Sequence, residues 1–200
     1  MVDEIQKSEQ IKSSLSTPNS RIILVTGGAR SGKSTFALKM AESIPGERLF
    51  IATAEALDEE MAGRIEEHKR GRGSHWATVE EPIAVPAVVG REKGYGVILL
   101  DCLTIWISNL LLQPSVRKVE GGTSEGVSTA AAREIDSFIG ACKESNATVI
   151  VVSNEVGMGI VPETPLARQF RDMAGIANQQ IAAAADEVYL LVSGIEMRIK

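Results

Sequence analysis

Short apolar runs recur along this chain, spaced widely enough to leave a helix between each pair. Arg21-Ile-Ile-Leu-Val-Thr26, Arg48-Leu-Phe-Ile-Ala-Thr53, Gly96-Val-Ile-Leu-Leu-Asp101, Thr148-Val-Ile-Val-Val-Ser153 and Val188-Tyr-Leu-Leu-Val192 are nearly unbroken apolar strings rich in β-branched residues. Strands covered on both faces read this way. Between them the apolar positions follow a helical period. Lys33–Glu42 places Phe36, Ala37, Met40 and Ala41 on one stripe, and Ser128–Glu144 and Leu166–Ala185 are amphipathic. A helix is predicted from Asp58 to about Arg70, with acidic residues in its first turn and Gly71-Arg-Gly73 as its stop. Trp76–Glu80 predicts a short strand, and Val85–Glu92 and Thr104–Leu112 predict helices. A Gly/Ser-rich loop is expected through Gly126, and a glycine-broken loop over Asn154–Pro162. Val188–Val192 and Ile195–Lys200 bracket Ser193-Gly194, which predicts a closing hairpin. Strands alternating with helices predict an α/β fold: a mainly parallel sheet flanked by helices, with an antiparallel hairpin at the C-terminal edge. Residues 21–200 are read as one domain, and Met1–Ser20, polar and without an apolar core, as a disordered or weakly helical tail that fails as a signal peptide.

The first strand and helix bracket the most informative string, Gly27-Gly28-Ala29-Arg30-Ser31-Gly32-Lys33-Ser34. It fits the phosphate-binding pattern G-x-x-x-x-G-K-[ST] at every fixed position, in the strand–loop–helix context that the mechanism needs. Glycines let backbone N–H groups turn around a β-phosphate, and the helix N-terminus adds partial positive charge. Lys33 would bridge the β- and γ-phosphates, and the Ser34 hydroxyl would hold Mg²⁺. A nucleoside triphosphate is therefore the expected ligand.

Composition narrows the field. The formal charge of −5 leaves no general basic field for nucleic acid, so any anion site is local. No apolar run approaches the roughly 20 residues of a membrane span. Cys102 and Cys142 lack metal-ligand spacing and read as buried free thiols, as expected of a cytoplasmic protein.

Two further constellations bear on chemistry. Asp101 ends an apolar strand at the edge of the sheet where ligands collect, as a Mg²⁺-holding acid would; a cap on the following helix is the other reading. His68 lies among Arg64, Lys69 and Arg72. Met61, Ile65 and His68 share helical spacing, so packing against the core is one reading of His68. A neutral imidazole among cations, able to attack phosphorus, is the other. His75 beside Trp76 reads as structural.

Together, Thr26–Ser34, Phe50–Thr53, Glu59-Glu-Met-Ala-Gly-Arg-Ile65, His68, His75-Trp76, Ser153–Pro162 and Ala183-Ala-Ala-Asp-Glu-Val188 resemble the bifunctional adenosylcobinamide kinase/adenosylcobinamide-phosphate guanylyltransferase family. The resemblance runs from about Arg21 to Lys200. It implies a RecA-like P-loop NTPase fold, a homotrimer, and a role in cobalamin biosynthesis with adenosylcobinamide and adenosylcobinamide phosphate as substrates. It implies that Gly27 to Ser34, Thr53, Ala54, Glu55, Lys69, Arg70, Gly71, Arg72, Glu80 and Asp101 meet ATP or GTP. It further implies that Ser34 and Asp101 serve Mg²⁺ and that His68 carries GMP covalently. Met1–Ser20 and Gln113–Val127 lie outside the family pattern. An ordinary small-molecule kinase, with His68 merely binding phosphate, and a nucleotide-gated binding protein are the rival readings.

Overall fold

A computed structural model describes residues 20–56, 58–73, 75–114 and 124–200. Side chains at positions 60, 61, 64, 67, 68, 71 and 124 also lie outside the described set. Strands β1 (Arg21–Gly27), β2 (Glu47–Ala52), β3 (Trp76–Glu80), β4 (Tyr95–Asp101), β5 (Thr148–Val152), β6 (Glu187–Val192) and β7 (Ile195–Arg198) alternate with helices. The helices are α1 (Lys33–Glu42), α2 (Glu59–Arg72), α3 (Val85–Arg91), α4 (Leu103–Leu112), α5 (Ser124–Glu144) and α6 (Pro165–Ala184).

Among the described residues the strands form one sheet in the order β3-β2-β4-β5-β1-β6-β7. Every pairing is parallel except β6 with β7, which closes as the expected antiparallel hairpin. Its turn, Ser193-Gly194, takes positive φ at both residues (53° and 82°), the backbone twist that two-residue hairpins favour.

Alternate residues of each central strand serve opposite faces, which is why the runs are apolar throughout. Ile22, Leu24, Leu49, Ile51, Ile98, Leu100, Val149 and Val151 join the larger cluster with residues of α3, α4, α5 and α6. Ile23, Val25, Phe50, Val97, Leu99, Ile150 and Val152 pack with Ala37 and Ala41 of α1 on the other side. Within the larger cluster Trp106 lies edge-on to Phe138, and its indole N–H donates to the Ile83 carbonyl at 2.7 Å. Cys102 and Cys142 are buried free thiols.

Two boundaries differ from expectation, one by two residues and one by four. Helix α2 runs through Gly71 to Arg72 and stops at Gly73, whose φ of 71° ends the helical path. Lys69, Arg70 and Arg72 in the last turn complement the negative end of the helix dipole, which offsets the glycine. Helix α5 begins at Ser124, so the sequence expected as loop through Gly126 and Val127 is helical from Ser124 on. Glu125 lies in its first turn and Val127 is buried, so tertiary burial overrides the local glycine preference. Residues 1–19 and 115–123, which hold the predicted tail and most of the Gly/Ser-rich loop, lie outside the described residues.

A candidate nucleotide site at the carboxyl edge of the sheet

The order of the sheet decides what meets what. Strand β5 lies between β1 and β4, so the glycine loop after β1 and Asp101 at the end of β4 are separated by a single strand. Around these ends lies a cavity of about 940 Å³. Ala29 to Ser34 form its floor, with Asp101, Cys102, Ala54 and Asn154–Val156 around them and Ile65, Lys69 and Arg72 of α2 as a wall.

The loop is held in a strained and specific path. Gly27 has φ 152°, and a Cβ there would collide with the Leu191 carbonyl of β6 and lie 2.8 Å from Ser31 Oγ. Arg30 adopts φ 57° and Gly32 φ 94°, the latter at the N-cap of α1. Gly32 brings no side-chain cap, so the first N–H groups of α1 open toward the loop, an arrangement suited to phosphate. Lys33 is buried with its ammonium donating to the Gly28 carbonyl at 2.6 Å. Burial holds its pKa below the usual lysine value, partly offset by Cys102 and Asp101 nearby. The buried hydroxyl of Ser31 has no hydrogen-bond partner among the described residues, as expected of a group that waits for a ligand oxygen.

Asp101 does not cap the next helix, because the cap position of α4 is Cys102. It lines the cavity together with Ser34. A carboxylate and a hydroxyl are hard oxygen donors, and no group of three or more His, Cys, Asp or Glu forms a closed cage among the described residues. Such a pair fits Mg²⁺, which keeps waters and takes its other ligands from phosphates.

The wall from α2 is cationic. The Arg72 guanidinium lies over the Phe50 ring, 3.6 Å from its centroid, and is buried. Desolvation lowers its pKa against the opposing pull of Asp101 and Glu80. Lys69 is exposed and pairs with Glu80 at 2.8 Å, a contact that raises its pKa. Glu80, at the end of β3, is thus linked to α2. Arg70 is exposed and turns its Nε back to the Glu66 carbonyl at 3.4 Å. Gly71 is in the helix, and the side chain of His68 lies outside the described residues. His75 is exposed, whereas its neighbour Trp76 is buried edge-on to Phe50.

After β2 the three proposed residues part company. Ala54 lines the cavity and Glu55 is exposed outside it. Thr53 is fully buried, and its hydroxyl both donates to the Cys102 carbonyl and accepts from the Cys102 N–H at 2.9 Å. That bond ties the end of β2 to the end of β4.

Asn154 and Glu155 also line the cavity, and no role was read for them in the sequence. The signal was the same as for Asp101: polar residues directly after an apolar strand. Asn154 donates to Thr104 Oγ1 at 2.7 Å, and its carbonyl accepts from Asn178 at 3.2 Å. The Glu155 N–H bonds to the Gly27 carbonyl at 2.9 Å, which ties this segment to the glycine loop.

Known proteins resemble this chain in sequence and in fold. A family model described as cobinamide kinase / cobinamide phosphate guanyltransferase matches residues 23–199. The bifunctional adenosylcobalamin biosynthesis protein CobU of Escherichia coli is 48% identical over 184 residues, covering 90% of this chain and 99% of that protein. The Pseudomonas aeruginosa protein CobP, of the same description, is 39% identical over 178 residues, covering 88% of this chain and 96% of that one. In overall fold the chain is similar to an ATPase of a bacterial type III secretion system (TM-score 0.54, 10% identity, 86% of this chain and 51% of that one), which shows shared P-loop architecture alone.

Proposed function

The chain belongs to the cobinamide kinase / cobinamide phosphate guanyltransferase family, and on that premise we propose that the cavity at the carboxyl edge of the sheet serves both reactions in adenosylcobalamin biosynthesis. In the first, the hydroxyl of adenosylcobinamide attacks the γ-phosphorus of ATP or GTP. In the second, GMP passes from GTP to adenosylcobinamide phosphate and gives adenosylcobinamide-GDP. The single observation that carries this reading is that the glycine loop and the cationic wall of α2 line the same space.

Lys33 and the N–H groups of the loop hold the β- and γ-phosphates, and the kinase step depends mainly on positioning and charge stabilisation. Ser34 and Asp101 would hold Mg²⁺, which when bound neutralises charge on the phosphates. His68 is the proposed nucleophile for the second reaction. Positions 65, 68, 69 and 72 fall on one face of a helix of period 3.6, and Ile65, Lys69 and Arg72 line the cavity. Attack of its imidazole on the α-phosphorus expels pyrophosphate. The substrate phosphate then displaces histidine from the P–N bond, so a difficult exchange between polyanions becomes two easier displacements. Lys69 and Arg72 supply the positive charge that both displacements need.

We assign the protein to the cytoplasm, where thiols such as Cys102 and Cys142 stay reduced. A homotrimer with the corrinoid cleft between subunits is the proposed assembly. Among the described residues β7 is the outermost strand of the sheet, and Ile195, Met197 and Ile199 are exposed. Both features favour association.

A coupled assay with adenosylcobinamide and GTP, resolving phosphorylated and guanylylated products, tests the whole reading. Both products are expected from the wild type and neither from Lys33→Ala. Guanylylation at the wild-type rate in Lys33→Ala would require a second nucleotide site.

A further inference from the structure

The two reactions differ in one chemical respect that the cavity must meet. In the kinase step the nucleophile is a hydroxyl, which has to shed a proton as its oxygen bonds to phosphorus. In guanylyl transfer the attacking phosphate oxygen is already anionic and sheds none. A proton acceptor is therefore needed for one reaction only.

The side chains that line the cavity leave few choices. Arg30, Lys33, Lys69 and Arg72 are cations, and the buried Cys102 sulfur is already engaged with Thr104 Oγ1 at 3.2 Å and the Asn154 amide at 3.8 Å. Among the described residues, Asp101 and Glu155 are the lining carboxylates. Asp101, at the end of β4, lines the cavity as Ser34 does and is the carboxylate proposed for the metal. Glu155 follows β5, the strand between the glycine loop and Asp101, so it arises between the two phosphate-binding elements. Its backbone is fixed to the loop through the bond to Gly27. Its side chain is fixed too, since Oε1 accepts from the Gly157 N–H at 2.6 Å. Oε2 carries no hydrogen bond and no cation pairs with the carboxylate among the described residues. One oxygen orients the group and the other is open.

We infer that Glu155 is the general base of the kinase step. As the substrate oxygen bonds to the γ-phosphorus, the bond from that phosphorus to the β–γ bridging oxygen breaks. The nucleoside diphosphate leaves with the bond electrons, and the hydroxyl proton passes to Glu155 Oε2. This rests on the function proposed above and adds the residue that the first reaction requires and the second does not.

Glu155→Gln is the test, because the amide oxygen still accepts from Gly157 N–H while the base is lost. General-base catalysis contributes about 10²- to 10⁴-fold, so the kinase kcat should fall at least 100-fold. KM for the nucleotide should hold, and guanylyl transfer to supplied adenosylcobinamide phosphate should stay within about threefold of wild type. Glu155→Asp, which keeps a carboxylate, should recover part of the kinase rate. Guanylyl transfer serves as the internal control for folding and for the integrity of the cavity. A Glu155→Gln kinase rate within tenfold of wild type would overturn the assignment, as would equal losses in both reactions, which mark a merely structural role. A wild-type protein that phosphorylates nothing would overturn the proposed function itself, a result distinguishable from either.

Discussion

The backbone N–H of Gly194, in the turn of the C-terminal hairpin, donates to the carbonyl of Ser31 in the glycine loop at 3.0 Å. Strand β6 adds a second contact, since Gly27 leaves room only for a hydrogen where its Cβ would strike the Leu191 carbonyl. A hairpin more than 150 residues away in sequence thus forms the outer support of the phosphate-binding loop. The loop is positioned by tertiary contacts as well as by its own glycines.

Two alanine substitutions separate these contacts. Gly27→Ala must push β6 and the loop apart, and overpacking of this kind costs about 1–3 kcal/mol. GTP affinity should fall at least tenfold with it. Gly194→Ala meets no atom within 4 Å and keeps its N–H, so it pays only the left-handed backbone cost of about 1–2 kcal/mol. Its GTP affinity should stay close to wild type. Urea unfolding and nucleotide titration measure both effects, and equal affinities in the two variants would remove the proposed role of the Gly27–Leu191 approach.

His68→Ala addresses the covalent step. With α-labelled GTP and Mg²⁺ but no cobinamide phosphate, wild type should acquire GMP and release pyrophosphate. The bond should be labile to acid and stable to alkali, as a phosphoramidate is. The variant should lose the label and guanylyl transfer while keeping much of the kinase activity. Lys69 would give an adduct of similar stability, so peptide mapping must locate the label. Label on Lys69, or full labelling of the variant, would exclude the histidine mechanism.

Arg72→Lys keeps a positive charge and removes the planar group that lies over Phe50. Lysine does not reproduce a stacked, forked contact. Stability should drop by about 1 kcal/mol, the order of a cation–π contact. Guanylyl transfer should slow about tenfold or more. Thermal denaturation and single-turnover transfer rates test this; unchanged values for both would mean that the stack positions nothing.

Cys102 carries a pH dependence whose sign is fixed. Burial raises its folded pKa from 9.0 to about 11, so below 9.0 the thiol is neutral whether folded or unfolded and its contribution is fully present. Between 9.0 and about 11 the unfolded chain loses the proton first, and stability falls as pH rises. The slope is at most about 1.4 kcal/mol per pH unit. Lys33, whose pKa is lowered by burial, contributes with the opposite sign, which makes a mutant comparison necessary. The stability of wild type minus that of Cys102→Ala, from urea unfolding at pH 8 to 10.5, should decline above pH 9. A flat difference would show that the thiol is not desolvated as described.

Local order along the chain was enough for the elements and for the phosphate loop. A β-branched run, a glycine loop and an amphipathic helix are contiguous, and their signals are short-range: pleat alternation, helical period, backbone freedom at glycine. That is why Arg21–Gly27 and Lys33–Glu42 were legible to within a residue. The failures were local as well. Gly71 and Ser124–Val127 carry loop-like residues, yet a helix dipole and a buried Val127 keep them helical.

What only the tertiary structure decided is the strand order. Nothing in the sequence says that β5 lies between β1 and β4, and that placement brings Asn154 and Glu155 into the cavity. The same holds for Arg72 over Phe50, Thr53 bonded to Cys102, and Gly194 against Ser31. Each joins residues far apart in the chain through packing of the whole sheet. Hydrophobic patterning specifies which face of a strand is buried, but is indifferent to which strand lies beside it; the neighbours are chosen by the crossover connections and the helices that cover them.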